Sequence, residues 1–132
     1  MEKVKEFDAH SDFIRSLIVH PKEAWLISCS DDQTIALWDV EKGFTLIRSY
    51  EEHKNFVMRI AINPKDTNMF ASAGMDNKVK IWSFTAANSN LTLEGHTKGV
   101  SAVCFCPLND KPYLASGSDD KTIRIWDYND RH

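Results

Sequence analysis

Very little in this chain is suited to catalytic chemistry. Its 132 residues hold five glycines, mostly in turns, and no Gly-rich phosphate loop, no HExxH and no paired CxxC run is present. No apolar run approaches the roughly 18 residues of a membrane-spanning helix. The net charge of −3 excludes a polybasic surface of the kind that binds nucleic acid or membrane lipid. Met1 to Lys5 is charged and lacks a signal-peptide core. Cysteine is scarce and odd in number: Cys29, Cys104 and Cys106 fall inside strand-like patterns, as expected of reduced thiols in a cytosolic protein. Cys104 and Cys106 share a strand face. With no further Cys or His to complete a ligand set, neither a metal nor a cofactor is expected. A helical period of 3.6 is also missing over any useful length. The rest is ordinary for one globular domain, at 42% hydrophobic and 27% charged.

What the chain does have is repetition. Trp38, Trp82 and Trp126 stand 44 residues apart, and His10, His53 and His96 stand 43 apart. A repeat of roughly 40–45 residues, with an early His and a late Trp-Asp, is the pattern of a β-propeller blade. Each repeat reads as four short strands. The first class is Phe13 to Val19, Phe56 to Ile62 and Val100 to Phe105, each followed by a proline (Pro21, Pro64, Pro107) that cannot donate to a sheet ladder. The second is Ala24 to Cys29, Met69 to Ala73 and Tyr113 to Ser116. Polar turns lead to the third: Thr34 to Val40, Val79 to Phe84 and Thr122 to Tyr128. In that class apolar residues alternate, so Ile123 and Ile125 share one face of a half-buried strand. The fourth is Val4 to Phe7, Phe44 to Ile47 and Leu91 to Leu93. The expected fold is all-β, a propeller segment of three four-stranded blades. The repeats cover about 8–50, 51–93 and 94–132, with 1–7 as the outer strand of a preceding or closing blade.

The phase predicts an incomplete ring. The chain opens on an outer strand and stops after an inner one, and propellers close with about four to eight blades. Both ends should present unpaired strand edges, which are adhesive. Either further blades complete the ring, or copies join head to tail, two of them giving six blades.

Each repeat also carries a His, a Ser, an Asp and a Trp. The sets are His10, Ser28, Asp32, Trp38; His53, Ser72, Asp76, Trp82; and His96, Ser116, Asp120, Trp126. They invite comparison with a Ser-His-Asp triad. A triad occurs once, in one cleft, whereas these recur in every repeat. They are expected to be scaffolding: Asp fixes the imidazole tautomer, and the second ring nitrogen meets the Ser hydroxyl, which meets the Trp indole. No enzyme is expected.

Binding should lie on one face of the propeller. The residue before each structural Asp (Asp31, Met75, Asp119) and the residue two after each His (Asp12, Asn55, Lys98) should point there. Asp12, Asp31 and Asp119 put three carboxylates on that face. Turns are rich in Asp in any case; the sharper reading is a pocket for Lys or Arg side chains of a peptide.

These residues resemble the WD-repeat family: Glu94-Gly95-His96 opens a repeat and Trp126-Asp127 closes one. His53 lacks the preceding Gly, and Trp82 is followed by Ser83. The stretches EFDAHSDFIRS (6–16), FVMRIAINPKD (56–66), LTLEGHTKGV (91–100) and NDKPYLASGSDDKTIRIWDY (109–128) look like the amino-terminal propeller of coatomer (COPI) beta-prime subunits. That resemblance implies three blades of a seven-bladed propeller and no catalysis. It implies recognition of lysine-containing carboxyl-terminal (dilysine) signals of membrane cargo, in Golgi-to-ER retrieval. The matching acidic positions are Asp12, Asp31 and Asp119, with Arg15 a candidate for the peptide carboxylate. The family's main carboxylate-clasping residues match no position here. Other coat subunits become expected partners. The expected location is cytoplasmic, peripheral to Golgi membranes and coated vesicles, with the membrane met only through the coat. A generic WD-repeat scaffold for another peptide, or a fragment that assembles head to tail, are the alternatives.

Overall fold

Eleven of the twelve expected segments become strands of antiparallel sheets in the structure, a computed structural model that describes residues 1–129. Residues 130–132, the expected end of the third repeat, lie outside the described residues. The first sheet holds β1 (Ile14–Val19), β2 (Trp25–Ser30), β3 (Ile35–Asp39) and β4 (Thr45–Tyr50) in that spatial order. The second holds β5 (Val57–Ile62), β6 (Met69–Gly74), β7 (Val79–Ser83) and β8 (Leu91–Leu93). The third holds β9 (Val100–Cys106), β10 (Tyr113–Ser118) and β11 (Ile123–Asp127), with a short 3-10 turn at Leu108–Asp110. The sheets do not close into a ring.

Local chemistry repeats with the strands. The turn after each second strand places one residue in the left-handed region: Gln33 (φ 74°), Asn77 (φ 70°) and Lys121 (φ 74°). Only Asn is well suited to that conformation. The preceding Asp compensates by accepting the backbone N–H two residues on, as in Asp32 with Thr34, Asp76 with Lys78 and Asp120 with Thr122. Register shifts recur near the start of each inner strand, between Ile14 and Ser16 and between Val57 and Arg59, with the counterpart at Gly117/Ser118.

The core lies between sheets. One cluster joins Ile27, Cys29, Ile35, Leu37 and Tyr50 of the first sheet to Val57, Ile60, Phe70, Trp82 and Phe84 of the second. The other joins Ala71, Ala73, Val79, Ile81 and Leu93 of the second to Val100, Val103 and Leu114 of the third. Hydrogen bonds cross the same seams. The His20 Nε2–H donates to the Thr67 carbonyl (2.7 Å), while Nδ1 accepts from the N–H groups of Lys22 and Glu23. The Tyr50 hydroxyl donates to the Phe84 carbonyl (2.9 Å), and the Asn63 amide to the Tyr128 hydroxyl (3.0 Å).

Two expectations change. Val4 to Phe7 forms no strand; residues 1–10 are irregular and pair with no strand among the described residues. Phe7 instead packs its ring against Trp38 (5.1 Å between centroids) and Phe44 (5.5 Å). The face shared by Ile123 and Ile125 is open: these residues are 77% and 58% exposed, while their counterparts Val79 and Ile81 are 0% and 2% exposed. Alternation is the same in both strands; only the second sheet has a neighbour on that side.

Candidate functional site

The four-residue sets assemble in all three repeats. Asp32, Asp76 and Asp120 sit in the turn after the second strand, and each His sits in the loop before the first. Folding the two strands together brings the two turns into contact. His10 Nδ1 lies 2.9 Å from the Asp32 carboxylate, and Nε2 lies 2.7 Å from Ser28 Oγ. His53 lies 3.0 Å from Asp76 and 2.6 Å from Ser72; His96 lies 2.8 Å from Asp120 and 2.7 Å from Ser116. The indole N–H of Trp38, Trp82 and Trp126 donates to the same serine hydroxyls at 3.0, 2.8 and 2.8 Å. One proton arrangement satisfies every contact. Each His carries its proton on Nδ1 and donates it to Asp, Ser donates to Nε2, and the Ser oxygen accepts from Trp.

Each carboxylate also accepts the backbone N–H of the residue after its His: Ser11, Lys54 and Thr97. Burial opposes ionisation of Asp32 and Asp76. The hydrogen bonds from Thr34 and His10, and from His53, outweigh it and hold both carboxyls below their ordinary value. At Asp120 the Thr122 hydroxyl is the largest influence, burial opposes it, and His96 adds to it; that carboxyl also lies low. The imidazoles are 1% exposed, so no substrate reaches them. Sequence reasoning missed Thr34 and Thr122, whose hydroxyls donate to Asp32 and Asp120 at 2.6 Å. The available signal was the Asp-x-Thr spacing, which the middle repeat breaks with Lys78. It also missed Glu52, which accepts from Ser89 N–H (2.7 Å) and Oγ (2.6 Å) and pairs with the nearly buried Lys80 at 3.5 Å. Burial raises the Glu52 carboxyl, but the Ser89 contacts hold it low.

The binding-face positions gather at one end of the sheets. Asp31 N–H donates to the Phe13 carbonyl, Met75 N–H to that of Phe56, and Asp119 N–H to that of Gly99. Each turn therefore sits beside the start of its own inner strand, next to Asp12, Asn55 and Lys98 respectively. Asp12 and Asp119 are exposed, as are Asn55 and Lys98. Asp31 is not open: it is 6% exposed, and both its oxygens accept from Arg15, from Nε and from Nη2, at 2.6 Å each. That hydrogen-bonded pairing pushes the guanidinium above its ordinary value. The Arg15 guanidinium also lies 5.8 Å from the ring centres of both Phe13 and Phe56, so it bridges the first two sheets. The three expected carboxylates thus divide into two open groups and one that holds an arginine.

Comparison with known proteins agrees with this architecture. The family described as "WD domain, G-beta repeat" matches residues 1–39, 44–83 and 87–127. Coatomer subunit beta'-2 of Arabidopsis thaliana is 49% identical over 91 residues, 69% of this chain and 10% of that protein. The probable coatomer subunit beta' of Schizosaccharomyces pombe is 46% identical over 88 residues, 67% of this chain and 11% of that protein. Coatomer subunit beta' of Rattus norvegicus is 46% identical over 82 residues, 62% of this chain and 9% of that protein. The chain therefore spans about a tenth of the length of the curated relatives it matches. With three matched repeats, three propeller sheets and a tetrad in each, this chain belongs to the WD-repeat family, and over about two thirds of its length it is homologous to coatomer beta-prime subunits.

Proposed function

We propose that this chain is a peptide-recognition segment of a COPI vesicle coat subunit, offering carboxylates to the lysines of dilysine retrieval signals on membrane cargo. The observation that carries the reading is the pair of open carboxylates, Asp12 and Asp119, at the same sheet ends as the Arg15–Asp31 pair. Rigid sheets position these groups, so an ammonium meets them without a large ordering cost. Asp12 and Asp119 take lysine side chains. Asp31 seats Arg15, whose N–H groups outside the bidentate pair face the peptide's terminal carboxylate. The scaffold is non-enzymatic, as its family and relatives indicate. Other coat subunits are its partners, and through them it is peripheral to the cytoplasmic side of Golgi membranes.

The test is a calorimetric titration with a peptide ending Lys-Lys-Ala-Ala-COOH, beside one ending Ala-Ala-Ala-Ala-COOH. Lysine-dependent binding is expected, weakened about 10-fold by Asp119→Ala and again by raising salt from 50 to 500 mM. Equal affinity for the two peptides overturns the reading. A second reading draws on the exposed rings of Phe13 and Phe56 beside Arg15. A WD-repeat scaffold that seats an apolar peptide side chain there would respond to Phe56→Ala and not to Asp119→Ala.

A further inference from the structure

We propose that Glu52 is a latch: through Ser89 and Lys80 it ties the loop between β7 and β8 to the loop that carries Asn55 and Phe56 on the binding face, so that opening one loop loosens the other. This concerns the loops themselves and holds whatever that face binds. It starts from two departures in the second repeat. The residue before the His is Gly95 in the third repeat and Ala9 in the first, but Glu52 in the second. The connection from third to fourth strand is also longer there, seven residues (84–90) against five (40–44) in the first sheet. The longer loop brings Ser89 to the extra carboxylate. Ser89 N–H donates to one Glu52 oxygen at 2.7 Å, and the Ser89 hydroxyl donates to the other at 2.6 Å.

The third member comes from β7. Lys80 stands opposite Ser72 in the ladder, a place that Ala36 fills opposite Ser28 in the first sheet. The Lys80 side chain is 9% exposed, so its ammonium needs a counter-charge. It donates to Thr92 Oγ1 on β8 at 2.9 Å, and the Glu52 carboxylate lies 3.5 Å away. Glu52 itself is 30% exposed, and Ser89 is flanked by exposed Ala87, Asn88 and Asn90. The clamp therefore sits at the rim of the sheet, where water can take over its contacts. Opening it breaks hydrogen bonds without breaking the core, which makes it a site of local rather than global unfolding.

The path from the clamp to the binding face is short. Glu52 precedes His53, whose ring is held by Asp76 and Ser72, and the Lys54 N–H donates to Asp76 at 3.0 Å. Asn55 and Phe56 follow directly. Asn55 Oδ1 accepts from Phe56 N–H, and the Phe56 carbonyl accepts from Met75 N–H. Residues 52–56 are thus fixed at two ends, by Glu52 at the rim and by the start of β5 at the face. With Glu52 released, the rim end is free and Lys80 loses its counter-charge. The third repeat follows the same course from Gly95 without a side chain at the Glu52 position. Its Thr97 N–H donates to Asp120 at 3.1 Å, as Lys54 does to Asp76, so it supplies an internal control.

Amide hydrogen exchange of the full chain, read residue by residue by NMR, tests this. Ser89→Asp sets a second carboxylate against Glu52. Exchange should quicken about 10-fold at Asn90, whose N–H donates to the Ile81 carbonyl, and about 10-fold at Lys54. That is the ratio expected from one hydrogen bond to a charged group. Thr97 should stay within about twofold of the parent. Faster exchange at Asn90 with Lys54 unmoved overturns the coupling, and no change at either overturns the latch. An equal rise at all three sites is general destabilisation and overturns it as well. Ser89→Ala keeps the backbone donor, so both rises should be smaller but still paired. Glu52→Ala combined with Lys80→Met removes the clamp without stranding a buried ammonium. Lys54 should again exchange about 10-fold faster with Thr97 unmoved, and Lys54 exchange at the parent rate in that protein overturns the proposal.

Discussion

Replacing Asp76 with alanine should destabilise the chain by about 2–4 kcal/mol. The Asp76 side chain is 6% exposed and accepts from three donors: the His53 ring and the N–H groups of Lys54 and Lys78. The two backbone donors lie near the surface, where water replaces the carboxylate at small cost. The His53 ring is 1% exposed, and its orphaned Nδ1–H carries most of the penalty, about 1–3 kcal/mol for a buried unsatisfied donor. Freeing the ring also loosens Ser72 and, through it, Trp82, which lies at 0% exposure in the first core cluster. Specific unfolding entropies imply roughly 3–4 °C per kcal/mol for a domain of this length, so the melting temperature should fall by about 7–14 °C. Thermal melts followed by circular dichroism, with urea midpoints and an unchanged m-value, measure it. The same change at Asp32 should cost less, because that carboxylate is more exposed and its sheet is covered on one side only. An Asp76→Ala protein that melts within about 2 °C of the parent would refute the scaffolding role.

Stability should also depend on pH with a defined sign. The Asp32, Asp76 and Glu52 carboxyls titrate lower when folded than when unfolded, so below about pH 4 the unfolded chain binds more protons. Their contribution is present above that range and is lost as pH falls through the depressed folded values; a melting temperature that stays constant from pH 6 to pH 3 would contradict it. At the alkaline end, burial pushes the Cys29 thiol and the Tyr50 hydroxyl up to about 12. Stability should decline as pH rises past about 9, and Cys29 should resist alkylation until unfolding while exposed Cys104 reacts quickly. Lys121→Asn should raise the melting temperature by about 2 °C, since Lys121 holds a positive φ in the turn where the second repeat has Asn77.

The tetrads were readable in advance because recurrence itself is informative: twelve side chains at a common period leave one geometry that satisfies their donors and acceptors. The strands were readable because alternation and turn residues act locally; Leu91–Leu93 and the β5 and β6 segments fall where expected to within a residue. The carboxylate face was only half readable. Asp31 and Arg15 are 16 positions apart, and nothing in the local pattern of Asp31 itself distinguishes it, held by Arg15, from Asp119, for which the position on β9 matching Arg15 is Ser101. Thr34, Thr122 and Glu52 escaped notice because each enters its network from only one or two repeats.

Period, alternation and turn chemistry are properties of short stretches of chain, and they sufficed to determine blade number, strand order and the internal tetrads. Exposure is different, because it depends on what lies across a seam. Ile81 and Ile125 occupy the same place in the same pattern, yet one is core and the other is surface. Val4 to Phe7 stands where the other repeats place their outer strand and yet forms none, since it pairs with no strand edge among the described residues. Whether an apolar face is interior, and whether a carboxylate is free, was decided only when the three sheets packed, since burial and ion pairing belong to neighbours distant in sequence.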